Sequence, residues 1–334
     1  MADINVTKDS KFVKVLTAQA KNERVDSDLI KEANEIVAEL VKDPSPQNRH
    51  QLAQTVGFAV NDLQQGELDF LNNVADIKNI SYGDRAAFNV KTGGIKAYIQ
   101  AKGSTTARSY VADRQVTLET VEISARPAIN VMDLRTGRVN MADLIREANR
   151  EMTNMKLAKI EGVLHDAIDD YQSPFYATGT GVVKATLDAQ LAYFNRLGNV
   201  TLLGDSAAVG QLAGITGFVS YSGNNMIVSP SDNMIDELNN NGYLGRYMGC
   251  NVMKLQNAYK DGTTEPVLAV DWIYILPAGM TGDARNLKVV NEGGVNAFES
   301  QNIDDLVYEI RLDQWFGAGF VTGKLPTIGA YKIG

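Results

Sequence analysis

The chain has 334 residues, 44% of them apolar, so it is long enough to bury a substantial core. Its formal net charge of −8 argues against a protein that grips nucleic acid through a basic surface. The single cysteine, Cys250, excludes an intrachain disulfide and a cysteine-rich metal site, and it suits a reducing compartment.

The first 80 residues have the pattern of amphipathic helices. Ser27 and Asp28 can cap a first helix, which ends before Pro44. A second helix is predicted from about Gln47 to Gln64, and a shorter one near Leu71. These helices are short of packing partners within their own segment, so they must pack on the rest of the chain, a neighbouring copy or a separate protein.

From Tyr82 the apolar period changes to two, which predicts a long β-hairpin. Apolar residues alternate with polar ones on the way out, a small polar tip follows at Gly103–Ala107, and a returning strand carries Val116, Leu118 and Val121. A hairpin alone is marginal in water. We therefore expect it to contribute little to its own core and to lie on another molecule, although a solvated hairpin within an ordinary sheet is the simpler alternative.

Charge supports contact between copies of the chain. Residues 1–80 carry 9 basic and 13 acidic side chains, a net charge of −4. Residues 83–125 carry 6 basic and 4 acidic side chains, a net charge of +2. Opposite local charges favour association, although salt screens effects of this size.

A single long helix follows, from Asn140 to Tyr171. Asn140 is a good N-cap, and the apolar positions form one stripe along the helix. At 1.5 Å per residue the helix is roughly 46 Å long, so it must cross its domain from edge to edge.

The remaining sequence predicts two further units. Residues 182–275 alternate helices and strands, which favours a small α/β domain. The tail from Leu287 to Ile333 holds more strands, and we expect them to complete a sheet with the segment before residue 180.

No arrangement of residues predicts catalysis or a cofactor. A triad of Ser206, His165 and Asp166 would lack the second glycine of a nucleophile elbow, so we expect His50 and His165 to bond neighbours on helix surfaces. Residues 317–324 fail two of the four defining positions of a phosphate-binding loop, and their glycines fit a close backbone approach better. The acidic pairs at 169–170 and 304–305 are expected to be solvated. The sequence shows neither a signal-peptide pattern nor a run of about 18 apolar residues, so we expect no secretion and no membrane span.

The order of these parts resembles the major capsid proteins of tailed bacteriophages, whose fold is shared with herpesvirus capsid floors and encapsulins. The run from Tyr82 through Val90 to about Val121 resembles the extended loop of this family, and Asn140–Tyr171 resembles its spine helix. Thr180 to Pro277 resembles the axial domain, and Leu287 to Ile333 the returning strands. The closing run 313–320, Asp-Gln-Trp-Phe-Gly-Ala-Gly-Phe, is similar to the late strand region.

The resemblance implies an α+β fold of the phage major-capsid type. Its parts would be an N-terminal helical arm at 1–80, an extended β-hairpin loop at 81–125 and an α/β axial domain at 180–277. A peripheral domain would combine 126–179 with 278–334 and contain the spine helix at 140–171. The arm would either latch neighbouring subunits or be removed as a scaffold-like segment by a protease.

The function implied by the resemblance is structural rather than enzymatic. Hexamers and pentamers would form an icosahedral shell around double-stranded DNA, assembled in the host cytoplasm with portal and scaffolding proteins and a decoration protein as further partners, without sequence-specific DNA binding or a membrane. The extended loop would contact the adjacent subunit, with the basic residues Arg85, Lys91, Lys96, Lys102, Arg108 and Arg114 at this contact.

Two alternative functions remain, and one chemical feature of the family is not expected in this chain. An encapsulin-type compartment would enclose a cargo enzyme instead of a genome, and an α+β enzyme would form a small oligomer. Some family members crosslink a loop lysine to an asparagine near the C-terminus. Residues 325–334 contain no asparagine, which argues against that crosslink for Lys91, Lys96 and Lys102.

Overall fold

The computed structural model describes residues 6–43, 45–92, 108–110, 113–136, 140–168, 174–214, 236, 240–278, 285–302, 307–322 and 328–334. Its helices are α1 (Lys11–Ala20), α2 (Ser27–Lys42), α3 (Pro46–Glu67), α4 (Leu71–Val74), α5 (Val131–Arg135), α6 (Met141–Ile168), α7 (Lys184–Phe194) and α8 (Ser206–Gly214). Its strands are β1 (Asp76–Ile80), β2 (Ala86–Lys91), β3 (Asp113–Leu118), β4 (Val121–Ala125), β5 (Ala128–Asn130), β6 (Tyr176–Gly179), β7 (Asn199–Gly204), β8 (Arg246–Tyr247), β9 (Cys250–Lys254), β10 (Trp272–Ala278), β11 (Leu287–Asn302), β12 (Val307–Phe320) and β13 (Gly329–Ile333).

The helices α1, α2 and α3, which we call the N-terminal layer, pack on the rest of their own chain. Their neighbours include α6 and β11. The carboxylate of Asp26 caps α2, and the hydroxyl of Ser45 caps α3 by accepting from the Asn48 amide at 3.3 Å. The sequence analysis missed α1, where Ser10 makes no side-chain cap, although Phe12, Val13 and Leu16 of this helix are buried.

Helix α6 is the long helix expected from the sequence. The Oδ1 atom of Asn140 accepts from the Ala142 amide at 3.1 Å, which confirms the predicted N-cap. The helix ends at Ile168 among the described residues, and positions 169–171 of the prediction lie outside them. Its 28 residues span roughly 42 Å, and one side is buried along most of this length.

The first sheet has the order β1, β11, β12, β4, with β5 also beside β12. Strands β11 and β12 form a long antiparallel pair with an irregularity between Glu292 and Asn296. The tail strands thus complete a sheet with earlier segments, as expected. Strand β1 pairs parallel to β11, so the last five of the first 80 residues are sheet rather than helix.

The second sheet has the order β6, β13, β10, β7, β9, β8 and carries α7 and α8. Strands β7 and β9 are parallel, which agrees with the expected α/β alternation. Strands β6 and β13, which lie side by side at one edge of this sheet, come from segments outside the range 180–277 that was assigned to this unit.

Polar contacts join α6 to the second sheet. The Glu161 carboxylate accepts from the Ala269 amide at 3.1 Å and from the Tyr274 hydroxyl at 3.0 Å. The same hydroxyl lies 2.5 Å from Nε2 of His165. Burial raises the pKa of Glu161 above its ordinary value, and these hydrogen bonds offset only part of that effect.

Truncation of Leu164, which is buried on α6, should destabilise the subunit strongly. Leu164→Ala removes buried methyl groups and leaves a cavity, for which we expect a loss of about 2–5 kcal/mol. Met155→Ala on the exposed side of the same helix is the matched control, with an expected change within about 0.5 kcal/mol. Urea unfolding measures both, and equal effects would contradict this assignment of the buried side.

Glu161→Gln should remove a pH-dependent cost of folding. Because burial raises the folded-state pKa, the protonated carboxyl is favoured, and the wild type loses free energy of unfolding as pH rises from the unfolded-state pKa through the folded-state value. Glutamine stays neutral, so the stability advantage of the variant should grow between pH 4 and pH 8, a range set around the ordinary glutamate pKa of about 4.3. Urea midpoints across this range measure it, and a difference independent of pH would contradict the prediction.

Candidate functional site

The predicted hairpin begins as a regular two-stranded ladder. Strands β2 and β3 pair antiparallel, with Ala86 opposite Leu118 and Lys91 opposite Asp113. Ala86, Phe88 and Val90 are buried while Asn89 is exposed, so one face of the ladder points inward. The predicted outer part, residues 93–107, lies outside the described residues.

The inner face of the ladder packs on the first sheet of its own subunit. Phe88 and Val290 are fully buried against each other in one cluster. The ammonium groups of Lys78 and Lys288 lie 4.9 and 5.5 Å from the centre of the Phe88 ring. The Lys288 side chain is itself inaccessible and pairs with Asp76 at 2.9 Å. The near part of the hairpin therefore contributes to its own core, contrary to our expectation, because the apolar alternation of β2 gives it a buried side.

One carboxylate ties both arms of the hairpin to the first sheet. Glu292 of β11 accepts from the Gly83 amide at 2.9 Å, before β2, and from the Thr120 hydroxyl at 2.5 Å, after β3. We call this arrangement the root clasp. Both hydrogen bonds lower the pKa of Glu292, and the bond from Thr120 has the larger effect. The carboxylate is therefore charged at neutral pH and can accept both bonds.

Two glycines at the root clasp adopt a backbone conformation with positive φ. Gly83 has φ +85° and Gly293 has φ +67°. A residue with a side chain would be strained in this backbone conformation. A Cβ atom on Gly293 would come within 2.8 Å of the Tyr82 ring, which in turn lies 3.7 Å from Trp315 between ring centres. Substitution at Gly293 would therefore displace the aromatic pair at the start of the hairpin.

The glycines of β12 make room for the returning arm. A Cβ atom on Gly317 would lie 2.8 Å from the Glu119 carbonyl oxygen, and one on Gly319 would overlap a methyl group of Leu118. These glycines serve a close approach of two strands, as the sequence analysis predicted, and lie within β12 rather than in a phosphate-binding loop.

The basic residues predicted at the contact fall into two groups. Arg85, Arg108 and Arg114 are exposed, and none of the ion pairs found among the described residues includes them. Lys91 ends β2, whereas Lys96 and Lys102 lie outside the described residues. Exposed guanidinium groups can bind carboxylates of another molecule in a two-pronged geometry, which is the chemistry this surface offers.

The residues tested for catalysis have other partners. His165 contacts Tyr274, whereas the hydroxyl of Ser206 lies 3.4 Å from the Asp205 carboxylate. His50 pairs with Glu299 at 3.3 Å, so each histidine bonds a neighbour as expected. In the part of the chain that the structure describes, no group of three or more His, Cys, Asp or Glu side chains is arranged for a metal ion. Across the same residues, every helix is too short or too polar for a bilayer crossing.

Sequence reasoning missed the root clasp. Glu292, Thr120 and Gly83 are far apart along the chain, and each is an ordinary surface residue type. The available signal was the glycine pair at 293–294 within a strand pattern, which is typical of a bulge or close approach.

Comparison with known proteins identifies a family. The family model described as "SPbeta prophage-derived putative capsid protein YonB" matches residues 1–332. Comparison with curated protein sequences finds no match.

Comparison with solved structures finds chains similar to this one. The structure described as Microbacterium phage Oxtober96 has a TM-score of 0.50 and 10% identity, with 78% of this chain and 90% of that chain covered. The satellite phage P4 procapsid including size determination (Sid) protein has a TM-score of 0.50 and 11% identity, with 82% and 89% covered. A virus-like particle from Pyrococcus furiosus has a TM-score of 0.48 and 11% identity, with 84% and 98% covered. At these identities the likeness to the first two shows a shared fold.

Glu292→Gln should loosen the hairpin without unfolding the subunit. The amide keeps one acceptor oxygen and places an NH₂ group against a donor, so one arm of the root clasp loses its bond. We expect faster amide hydrogen exchange in 83–91 and 113–121 at neutral pH. In the wild type a loss of protection, measured against the intrinsic exchange rate at each pH, should appear on acidification below the ordinary glutamate range, because a lowered pKa means that the stabilisation is lost as pH falls through the folded-state value.

Glu265→Gln is the control for this measurement. Glu265 is exposed in a distant turn, where it pairs with Lys260 at 3.3 Å. Its replacement should leave exchange in both hairpin strands unchanged. Equal exchange rates in the Glu292→Gln variant and the wild type would show that the root clasp does not hold the hairpin.

Proposed function

The chain belongs to the YonB family of prophage-derived capsid proteins, and we propose that it is the major subunit of an icosahedral phage capsid. The observation that carries this conclusion is the family match over residues 1–332. The fold shared with the Oxtober96 and P4 structures supports it. The role is structural, and the absence of enzymatic activity is part of the proposal.

The hairpin beyond its root is the element that joins subunits. Its root is held by Glu292 and by burial of Phe88, so the direction of the hairpin is set by its own subunit. Arg108 and Arg114 are exposed on the hairpin, and Arg85 is exposed just before β2. These residues, together with Lys91, Lys96 and Lys102, contact the adjacent copy, whose acidic residues 1–80 supply the opposite charge.

The assembled form consists of hexamers and pentamers that enclose double-stranded DNA. The net charge of −8 supports this content, because an acidic wall does not bind packaged DNA through counterion release. Portal, scaffolding and decoration proteins are the proposed partners, and assembly takes place in the host cytoplasm. The one thiol, Cys250, is buried and free, which suits a reducing compartment.

The encapsulin-type alternative has less support. The family model that matches the chain describes a phage capsid, and it spans nearly all residues. A shell filled with protein instead of nucleic acid remains the outcome that would favour the alternative.

Shortening the hairpin should prevent assembly while leaving the subunit folded. Replacing residues 92–112 with Asn-Gly joins Lys91 to Asp113, which are opposite each other, by a two-residue turn. The ladder, the buried Phe88 and the root clasp are all kept. We expect a thermal midpoint close to that of the wild type, but no shells in electron micrographs of the protein expressed alone.

A second shortened turn is the control. Lys260 and Glu265 are joined by a backbone hydrogen bond of 2.8 Å, so residues 261–264 can be replaced with Asn-Gly in the same way. This variant should form shells as the wild type does. Normal shells from the shortened hairpin would refute the assigned contact, and a wild type that stays a small oligomer under all assembly conditions would refute the capsid function itself.

A further inference from the structure

The N-terminal layer supplies a large part of the subunit core. Leu16, Ala53, Val56, Ala59 and Val60 are fully buried. They belong to the same cluster as the inner side of α6 and the inward residues of the first sheet. A latch arm or a detachable segment would instead present its apolar side to another molecule.

Polar contacts also fix the layer to α6. The guanidinium of Arg146 donates to the carbonyl oxygens of Ala20 at 3.1 Å and Gln19 at 3.3 Å, at the end of α1. The ammonium of Lys156, which is almost wholly inaccessible, donates to Oε1 of Gln64 in α3 at 2.7 Å. These donors come from the long helix and the acceptors from the layer, so separating the two would break three hydrogen bonds between them.

The N-terminal layer also packs closely against β11 and β12. A Cβ atom on Gly57 of α3 would be 3.0 Å from the Cβ of Ala297, so helix and strand approach without an intervening side chain. The Tyr308 hydroxyl of β12 donates to the Arg49 carbonyl oxygen at 2.7 Å. Glycine at position 57 therefore serves a tight contact between α3 and β11.

The chain leaves the layer directly into the first sheet. The guanidinium of Arg285 donates to the carbonyl oxygens of Asn72 at 2.6 Å and Ala75 at 2.7 Å. Strand β1 then pairs with β11 over five residues. A cut near residue 80 would thus remove an edge strand together with the helices.

We propose that residues 6–80 stay in the finished shell as a fixed layer of its wall and are not a removable scaffold segment. This inference rests on the proposed capsid function. It decides between the two roles left open by the sequence, because release of these residues would remove α1, α2 and α3 from a core that they share with α6 and the first sheet. A scaffold segment, where assembly uses one, lies outside residues 6–80.

The mass of the subunit in DNA-filled particles tests the proposal directly. Intact-mass spectrometry should find a subunit that contains residues 6–80. A subunit that begins after residue 20, 43 or 80 would overturn the proposal while leaving the capsid function standing.

A cleavage experiment on the free subunit tests the same point if no particles form. A site-specific protease sequence is inserted between α1 and α2, where Lys21, Asn22 and Glu23 are exposed. After cleavage the α1 fragment should co-elute with the rest of the subunit in size-exclusion chromatography. Its release would overturn the proposal independently of assembly.

Leu16→Asp in the same cleavable protein is the matched variant. Leu16 is fully buried, so a charge there should weaken the contact and release the fragment after cleavage. Lys14→Asp, at an exposed position of the same helix, is the charge control and should keep the fragment bound. Retention in both variants would show that burial of α1 is not what holds the layer.

Discussion

The buried side of α6 is the contact on which the other parts of the subunit depend. Ile145 and Met152 face a core shared with the N-terminal layer and the first sheet, whereas Glu161 and His165 bond Tyr274 of the second sheet. One helix of roughly 42 Å therefore sets the relative position of three packed units. Because interiors are close-packed, a shift of this helix changes all three contacts at once.

The described part of the hairpin combines contacts within its own subunit with exposed charge. Near the root, burial of Phe88 and the hydrogen bonds of the Glu292 carboxylate fix the course of the hairpin, and all of these contacts lie within one subunit. On the same hairpin, Arg85 just before β2 and Arg114 in β3 are exposed and have no ion-pair partner among the described residues. An element that is fixed at its root and has exposed arginines among its described residues suits an assembly of identical copies, since its direction is set before the partner arrives.

Much of the fold could be predicted from periodicity, whereas the root clasp could not. The spacing of apolar residues and the Asn140 cap predicted α6, and the alternation after residue 182 predicted the second unit. Helix α1 was missed because it is short, with ten residues over which to recognise a helical period. The hydrogen bonds of Glu292 join it to Gly83 and Thr120, which are far away along the chain. No local sequence pattern encodes which distant residues a folded sheet brings together. The burial of β2 was visible in Ala86, Phe88 and Val90, but a hairpin far from other predicted strands gave no reason to choose its own sheet as the partner.

Two inaccessible lysines lie where the layers meet, and they explain how a mainly apolar core keeps a single arrangement. Lys156 joins α6 to Gln64 of the N-terminal layer and lies 5.6 Å from the Phe316 ring, and Lys288 joins β11 to Asp76 and lies 5.5 Å from the Phe88 ring. Apolar packing tolerates small slips, but a buried ammonium that loses its hydrogen bonds incurs a large desolvation cost. Each lysine thus penalises a different slip: Lys156 that of the N-terminal layer, and Lys288 that of the sheet beneath the hairpin. A subunit that must repeat the same contacts many times in a closed shell gains from this, because an error in the angle of one element would accumulate around the assembly.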